Sequence, residues 1–302
     1  MPRLAFAGTP AFAATILQAM IEAGWEIPLV ISQPPALAGR GRVWRESAVA
    51  TMAQEAGLQL ATPQRIAELA ALIASLKLEA LVVAAYGQII PASVFTSPTH
   101  GTINVHASLL PRYRGASPVS AAIMAGDAMT GVSLMQIEAG LDTGPVYSSQ
   151  EMKIRSDDTT GSLTERLAAT GADLLVTDLP RILNGDLTAE PQNHLRASHA
   201  PPSTKQSGRL DWSMPVIQIE RQVRAMQPWP GAWTTYGNTR VEVLSGSVVK
   251  LETPVAAGRV LPTGIVAAGN GGYQLETIKP AGKGEMRAAD WCRNLPKDAQ
   301  FE

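Results

Sequence analysis

The side chains best suited to chemistry are an amide and an imidazole, Asn104 and His106, which alternate with the β-branched residues Ile103 and Val105. In an extended strand, alternate side chains point to the same face, so this spacing places the amide beside the imidazole while the branched residues face the core. The Ser-Leu-Leu-Pro segment that follows predicts the end of the strand, which leaves both polar groups at its carboxyl end. Open α/β sheets bind their ligands at that edge.

A carboxylate, Asp142, follows in a second polar segment. With Asn104 and His106 it makes a set suited to acyl transfer: a donor for an oxyanion, an imidazole that moves protons and an acid that orients the imidazole. The same residues also fit a structural role, because an Asn-x-His pair can be a satisfied polar pair at a sheet edge and Asp-Thr-Gly is a common turn. Spacing alone favours the structural interpretation.

The surrounding sequence predicts a sheet that could position these residues. Apolar runs and segments of helical periodicity alternate, which is typical of an α/β, doubly wound, Rossmann-like domain. The predicted strands cover residues 3–7, 27–32, 80–84, 130–137 and 146–154, together with the strand that holds Asn104 and His106. The predicted helices cover residues 11–23, 66–76, 117–125 and 162–184. The turn after the first strand, Gly8-Thr9-Pro10, lacks the glycines of a phosphate-binding loop, which argues against NAD or FAD.

The composition and periodicity of the sequence change after residue 185. We predict a catalytic domain over residues 1–185, a Pro- and Ser-rich linker over 186–207 and a smaller second domain over 208–302. Within the second domain a single helix is predicted over residues 212–224, and short segments alternate with Gly and Pro turns, which indicates a small β-barrel. Its predicted strands cover residues 239–243, 258–261, 264–267 and 273–278.

Composition excludes several classes of protein. The 25 basic and 26 acidic residues nearly balance, although the segment from residue 208 has 11 basic and 9 acidic residues, the sign expected for contact with phosphate. A chance imbalance explains that excess equally well. The single cysteine, Cys292, excludes an intramolecular disulfide and a Cys-based zinc cluster, and we predict no metal site. The sequence has no signal-peptide layout and no membrane-span run, so we expect a cytoplasmic protein.

The core motif over residues 103–115, followed by residues 141–144, closely resembles the signature of the folate-dependent formyltransferases. Further segments resemble the same family in the same order, at residues 6–10, 33–34, 39–42, 85–91, 158–163, 210–212, 228–230 and 280–283. The resemblance implies an OB-like barrel as the second domain and a catalytic role for Asn104, His106 and Asp142. It also implies that the formyl donor is 10-formyltetrahydrofolate and that the acceptor is the methionine of initiator methionyl-tRNA, in translation initiation. We expect the chain to act as a monomer.

Three further segments are predicted to surround the folate. Ser108, Leu109, Leu110 and Pro111 match the family segment that contacts the folate, and the leucines offer apolar surface to a flat ring, although a structural loop would use the same residues. Residues 86–90 and 137–141 match the other loops around the pterin.

Arg40, Arg42 and Arg45 lie on a glycine-containing loop beside Trp44, a composition that suits phosphate contacts and stacking on an unpaired base. In relatives that act on tRNA the corresponding loop enters the acceptor stem. Residues 35–37 and 43–46 depart from the family pattern, and composition alone favours an exposed basic loop without a ligand.

Three other functions share features of this pattern. The acceptor could be a nucleotide-linked amino sugar or small amine, although the segment after residue 207 counts against the short enzymes of that kind. Water as acceptor would give a formate-releasing hydrolase. A non-catalytic RNA-binding protein of the same fold is disfavoured because Asn104, His106 and Asp142 are all present.

Overall fold

The computed structural model describes residues 1–38 and 43–302, which form two compact units. The first unit consists of Met1–Pro118, Met129–Lys153 and Thr164–Pro201, and the second of Val119–Ala128, Ile154–Leu163 and Pro202–Glu302. The strands are β1 (Arg3–Gly8), β2 (Glu26–Ile31), β3 (Ala36–Ala38), β4 (Val43–Arg45), β5 (Leu60–Ala61), β6 (Ala80–Ala84), β7 (Thr102–His106), β8 (Met129–Gln136), β9 (Val146–Lys153), β10 (Ala232–Tyr236), β11 (Thr239–Val249), β12 (Ile265–Ala268), β13 (Gly271–Pro280) and β14 (Met286–Arg287). The α-helices are α1 (Ala11–Glu22), α2 (Ala48–Glu55), α3 (Ala70–Ser75), α4 (Ala92–Phe95), α5 (Pro118–Ala125), α6 (Thr160–Leu183), α7 (Val216–Ala225) and α8 (Ala288–Cys292), with 3₁₀ turns at Ile66–Leu69, His194–Arg196 and Lys205–Gly208.

The first unit contains a seven-stranded sheet in the order β5-β2-β1-β6-β7-β8-β9. Its first five strands are parallel, while β8 runs antiparallel to β7 and β9 antiparallel to β8. All five residues of β6 are buried, as expected for a parallel strand covered on both faces. The predicted Rossmann-like architecture is confirmed.

The turn between β1 and α1 is a tight packing turn. A Cβ atom at Gly8 would lie 2.6 Å from the Ala13 Cβ and 2.9 Å from the carbonyl oxygen of Ala84, so only glycine lets the helix approach the sheet this closely. Helix α1 follows this turn, and Phe12, Ile16 and other residues of one of its faces are buried.

The second unit is built on an antiparallel sheet in the order β10-β11-β13-β12, with β14 paired to β13. The sheet is curled into a half-barrel, which agrees with the predicted small β-barrel domain. Trp212 is buried beneath it, donates from Nε1 to the Thr234 hydroxyl at 3.0 Å and lies 5.9 Å from the ring of Phe301.

Two predicted elements of this unit differ from the structure. The helix predicted from residue 212 begins only at Val216, because Pro215 caps it and the preceding residues form a turn in which the Asp211 side chain accepts from Ser213. The strand predicted over residues 258–261 is reduced to isolated bridges of Arg259 and Val260. Within residues 1–38 and 43–302, no helix is long and apolar enough to cross a membrane.

Candidate active site

Strand β7 carries the first two predicted site residues in the expected alternation. Ile103 and Val105 are buried in the core, with 0% and 2% of their surface exposed. Asn104 lies on the opposite face and is half-buried, and His106 is the last residue of the strand. The structure therefore confirms that the amide and the imidazole share a face at the carboxyl end of a strand in the middle of the sheet.

Both nitrogens of the His106 ring face acceptors. Nε2 lies 3.1 Å from the carbonyl oxygen of Tyr113, and Nδ1 lies 3.7 Å from Oδ2 of Asp142. The second distance suits an ion pair and is too long for a hydrogen bond. Nδ1 is therefore not committed to Asp142 and is free to contact a reacting group.

Asp142 reaches His106 from an unexpected direction. Because β8 is antiparallel to β7, it ends beside the amino end of β7, where the Ile137 amide donates to the Thr102 carbonyl at 2.8 Å. Residues 138–142 must therefore run back along β7 to bring the carboxylate to His106 at the other end. This path is not predicted from the sequence.

The turn that holds Asp142 is tightly constrained. Asp142 adopts a left-handed backbone with φ of 50°, and its Oδ2 accepts from the Gly115 amide at 2.7 Å. At Gly144 a Cβ atom would lie 1.9 Å from the carbonyl oxygen of Gln136, so the turn requires glycine at that position.

The side-chain amide of Asn104 has no hydrogen-bond partner within residues 1–38 and 43–302. A half-buried amide without a protein partner can donate to a ligand at no cost in protein hydrogen bonds. Its position on the His106 side of β7 makes it available to an oxyanion formed next to the imidazole.

The segment predicted to bind folate is anchored by its first residue, and its other three residues are partly accessible. Ser108 is fully buried, and its hydroxyl donates to the Arg112 carbonyl at 2.6 Å. Leu109 packs over Gly131, where a Cβ atom would lie 2.5 Å from the Leu109 Cδ2. Leu109, Leu110 and Pro111 are all half-buried, and their exposed parts form the segment's accessible apolar surface.

The loop after β6 is anchored by Tyr86. Its ring is buried, and its carbonyl oxygen accepts from the Thr9 hydroxyl at 2.8 Å and from the Gln33 amide at 2.9 Å. Burial, with a smaller contribution from the charge of Glu68, raises the pKa of the Tyr86 phenol to about 12. Tyr86 is therefore a neutral anchor, while Ile89 in the same loop is 94% exposed.

Of the residues predicted to bind tRNA, Arg40 and Arg42 lie outside the described residues. Arg45 is exposed on β4, which pairs with β3 in a two-stranded sheet separate from the seven-stranded one. Trp44 beside it is 67% exposed, a high fraction for tryptophan.

Sequence reasoning missed Gln192, which lies in the predicted linker. Its Nε2 donates to the carbonyl oxygens of Asp142 and Gly144 at 2.9 and 2.6 Å. The flanking sequence has no periodicity that could have revealed this contact, because it depends on the folded path of both segments. In the described residues of the chain, no three His, Cys, Asp or Glu side chains cluster as a metal site requires.

A separate cavity of about 640 Å³ opens at the amino end of β7, lined by residues that include Phe95, His100, Glu138 and Tyr147. Burial raises the pKa of the Tyr147 phenol above its usual range. None of the three predicted catalytic residues lines this cavity. It therefore lies at the opposite end of the strand from His106.

Two family models together match most of the chain. The formyl transferase family matches residues 2–179, and the C-terminal domain of formyl transferases matches residues 202–296. A methionyl-tRNA formyltransferase from Jannaschia sp. is 43% identical over 96% of this chain and 95% of its own, and one from Dinoroseobacter shibae is 42% identical over 99% of this chain and 100% of its own.

The fold is also found in a solved structure of low sequence identity. The N-formyltransferase from Helicobacter canadensis, solved with folinic acid and dTDP-3-aminofucose, superimposes with a TM-score of 0.69 at 18% identity and covers 92% of this chain and 98% of its own. At that identity the match supports the architecture alone. The architecture, the two matching domains and the end-to-end similarity to curated relatives together establish that the chain is a transferase of the formyl transferase family.

Proposed function

We propose that this enzyme transfers a formyl group from 10-formyltetrahydrofolate to the α-amino group of methionine on initiator methionyl-tRNA, in the cytoplasm. The observation that carries the proposal is identity of about 43% over nearly the whole length of proteins named methionyl-tRNA formyltransferase. The arrangement of Asn104, His106 and Asp142 supports it, because the three side chains supply what formyl transfer to an amine needs.

Each of the three residues has a distinct role in this proposal. The Asn104 amide donates to the formyl oxygen as the amine attacks and the carbon becomes tetrahedral. His106 lies beside that carbon and exchanges a proton through Nδ1, which makes no hydrogen bond to Asp142 at 3.7 Å. Asp142 stabilises the charge that His106 acquires. No protein nucleophile is required, because the attacking amine arrives with the substrate.

The reaction balances without a redox partner. A bond forms between the methionine nitrogen and the formyl carbon, and the bond between that carbon and the donor nitrogen breaks. The incoming amine loses a proton, and the departing nitrogen gains one. His106 is placed to relay this proton, so the protein ends the cycle in the state in which it began.

We propose that the folate lies against the segment formed by Ser108, Leu109, Leu110 and Pro111. The accessible surfaces of Leu110 and Pro111 suit a flat ring, and Ser108 holds the loop that presents them. Exposed apolar residues on the neighbouring loops, Ile89 and Leu141, support this position because they offer further apolar surface.

We propose that Arg40, Arg42 and Arg45 and the C-terminal domain bind the tRNA. The protein is a monomer in this proposal, with a catalytic domain over residues 1–185, a linker over 186–207 and a C-terminal domain over 208–302. The exposed Arg45 and Trp44 support the first contact, since a guanidinium binds phosphate and an indole stacks on an unpaired base. The match of a C-terminal formyl transferase domain to residues 202–296 supports the division.

The test presents the full-length chain with labelled 10-formyltetrahydrofolate and three acceptors: methionyl-tRNA, a nucleotide-linked amino sugar, and water alone. We expect label to enter methionyl-tRNA at least about a hundredfold faster than it enters the sugar or is released as formate. Preferential labelling of the sugar would contradict the proposed acceptor, and rapid formate release without an amine would favour a hydrolase.

A further inference from the structure

Gln192 bridges the turn that carries Asp142. Its single Nε2 donates to the carbonyl oxygen of Asp142 at 2.9 Å and to that of Gly144 at 2.6 Å, and only 8% of the residue is exposed. The two carbonyls flank the turn, so one amide group restrains both ends of it. Asp142 has a left-handed backbone, a sparsely populated conformation that contacts on both sides of the turn help to maintain.

Arg114 determines which way the Gln192 amide points. Nε and Nη2 of Arg114 lie 3.1 and 2.6 Å from the Gln192 Oε1, and Nη2 also lies 3.2 Å from the Nδ1 of His194. A guanidinium only donates, so it must face the amide oxygen, and the amide nitrogen is then directed at the two carbonyls. Arg114 is itself 96% buried and tied through its backbone to Ser198 and Ala200, which makes it a rigid support.

We propose that Gln192, oriented by Arg114, is a positioning residue for formyl transfer: it holds the Asp142 carboxylate beside His106. The inference rests on the proposed function. It means that a residue of the predicted linker, residues 186–207, helps to position a catalytic residue. Gln192 touches neither reacting atoms nor His106, so it acts only through the position of Asp142.

The informative substitution is Gln192→Glu. A glutamate has nearly the same shape and still accepts from Arg114, but it has no N–H to offer the carbonyls of Asp142 and Gly144. If Gln192 only satisfied the buried Arg114, the glutamate would serve equally well. If it holds the turn, kcat should fall about tenfold or more, as expected when a catalytic group is displaced by about 1 Å.

A double-mutant cycle separates positioning from general damage to the structure. In the Asp142→Ala background the position of residue 142 no longer matters, so Gln192→Glu should change kcat less than about twofold there. Gln150→Glu is the matched control, because Gln150 is exposed on β9 and, among the described residues, its side-chain amide donates only to the Glu151 carbonyl. Its kcat should equal that of the parent. Gln192→Met repeats the test without a donor or a charge if the glutamate variant does not fold.

A second readout does not depend on the acceptor. With 15N-labelled histidine, the His106 ring signals of Gln192→Glu should move in the direction produced by Asp142→Ala, while those of Gln150→Glu should stay in place. If the parent protein transfers no formyl group, the proposed function fails, yet these signals still decide the positioning role. Parent-like kcat and ring signals in Gln192→Glu would overturn the inference, as would an equal fold-loss in both backgrounds.

Discussion

The substitution Asp142→Asn isolates the charge of the carboxylate from its shape. Asparagine accepts a left-handed backbone more readily than most residues, so the φ of 50° is tolerated. Its side-chain oxygen can still accept from the Gly115 amide, which now contacts the carboxylate at 2.7 Å. The fold should therefore survive, and the effect of the variant should report on the electrostatic interaction with His106.

The distance to His106 gives the size of that interaction. Opposite unit charges 3.7 Å apart attract by about 4 kcal/mol at an effective dielectric constant near 20 and by about 1 kcal/mol in water. The side chains are only 7% and 14% exposed, so the attraction lies nearer the upper of these values, at about 3 kcal/mol. If the imidazole is charged in the transition state, this corresponds to a loss of about a hundredfold in kcat.

The assay follows transfer of labelled formyl groups to methionyl-tRNA at saturating donor, with folate affinity measured separately by calorimetry. Asp186→Asn, at an exposed position, is the control for the removal of a charge and should behave like the parent. If Asp142→Asn stays within about threefold of the parent kcat while its folate affinity is unchanged, the electrostatic role of Asp142 is wrong.

Three further perturbations test the turn, the buried thiol and the basic hairpin. Gly144→Ala puts a Cβ atom 1.9 Å from the Gln136 carbonyl oxygen and should lower kcat at least about tenfold. Gly284→Ala is the control and should leave kcat unchanged, because no atom lies within 4 Å of the added Cβ. Equal kcat values in the two variants would refute the claim that the turn requires glycine at position 144. Burial raises the pKa of the Cys292 thiol to about 11, so alkylation at about pH 8.5 should be about a hundredfold slower in the folded protein than in urea. Equal alkylation rates in the two states would contradict the raised pKa. The same pKa shift contributes to folding stability in full below about pH 8.5, and this contribution is lost as the pH rises towards 11. Arg45→Ala should raise the KM for methionyl-tRNA a few-fold and reduce its salt dependence by about one counterion, leaving folate affinity unchanged; an unaltered salt slope would exclude a phosphate contact.

The alternation of side chains along β7 is the feature of the site that local sequence determines. Ile103 and Val105 are apolar and branched, and burying them forces Asn104 and His106 onto the other face whatever the rest of the chain does. The end of the strand was predicted from the Ser-Leu-Leu-Pro segment that follows His106. Both features rest on near neighbours in sequence, and both were predicted correctly.

The approach of Asp142 depends on topology that local sequence does not contain. A strand pattern over residues 129–136 is the same whether the strand runs parallel or antiparallel to β7, yet only the antiparallel arrangement sends the following loop back along the sheet. The family resemblance identified the residue, and the route it takes became visible only in the structure.

The β3–β4 hairpin and the Gln192 contact were missed for different reasons. The hairpin strands are three residues each, and Leu37, Val43 and Trp44 are exposed, so no pattern of burial marks them. Gln192 belongs to a stretch rich in polar residues, and its importance comes from a partner fifty positions earlier in the chain. Long-range hydrogen bonds of this kind have no periodicity that sequence analysis could detect.

The role of the β7 site in the reaction is decided by the single-turnover rate of formyl transfer to methionyl-tRNA by the parent protein and by His106→Ala, at saturating 10-formyltetrahydrofolate. Because His106 is placed to carry the proton between the two amines, the variant should be slower by about a hundredfold or more while it still binds folate. A folded His106→Ala protein that transfers the formyl group at the parent rate would show that the reaction does not pass through this site.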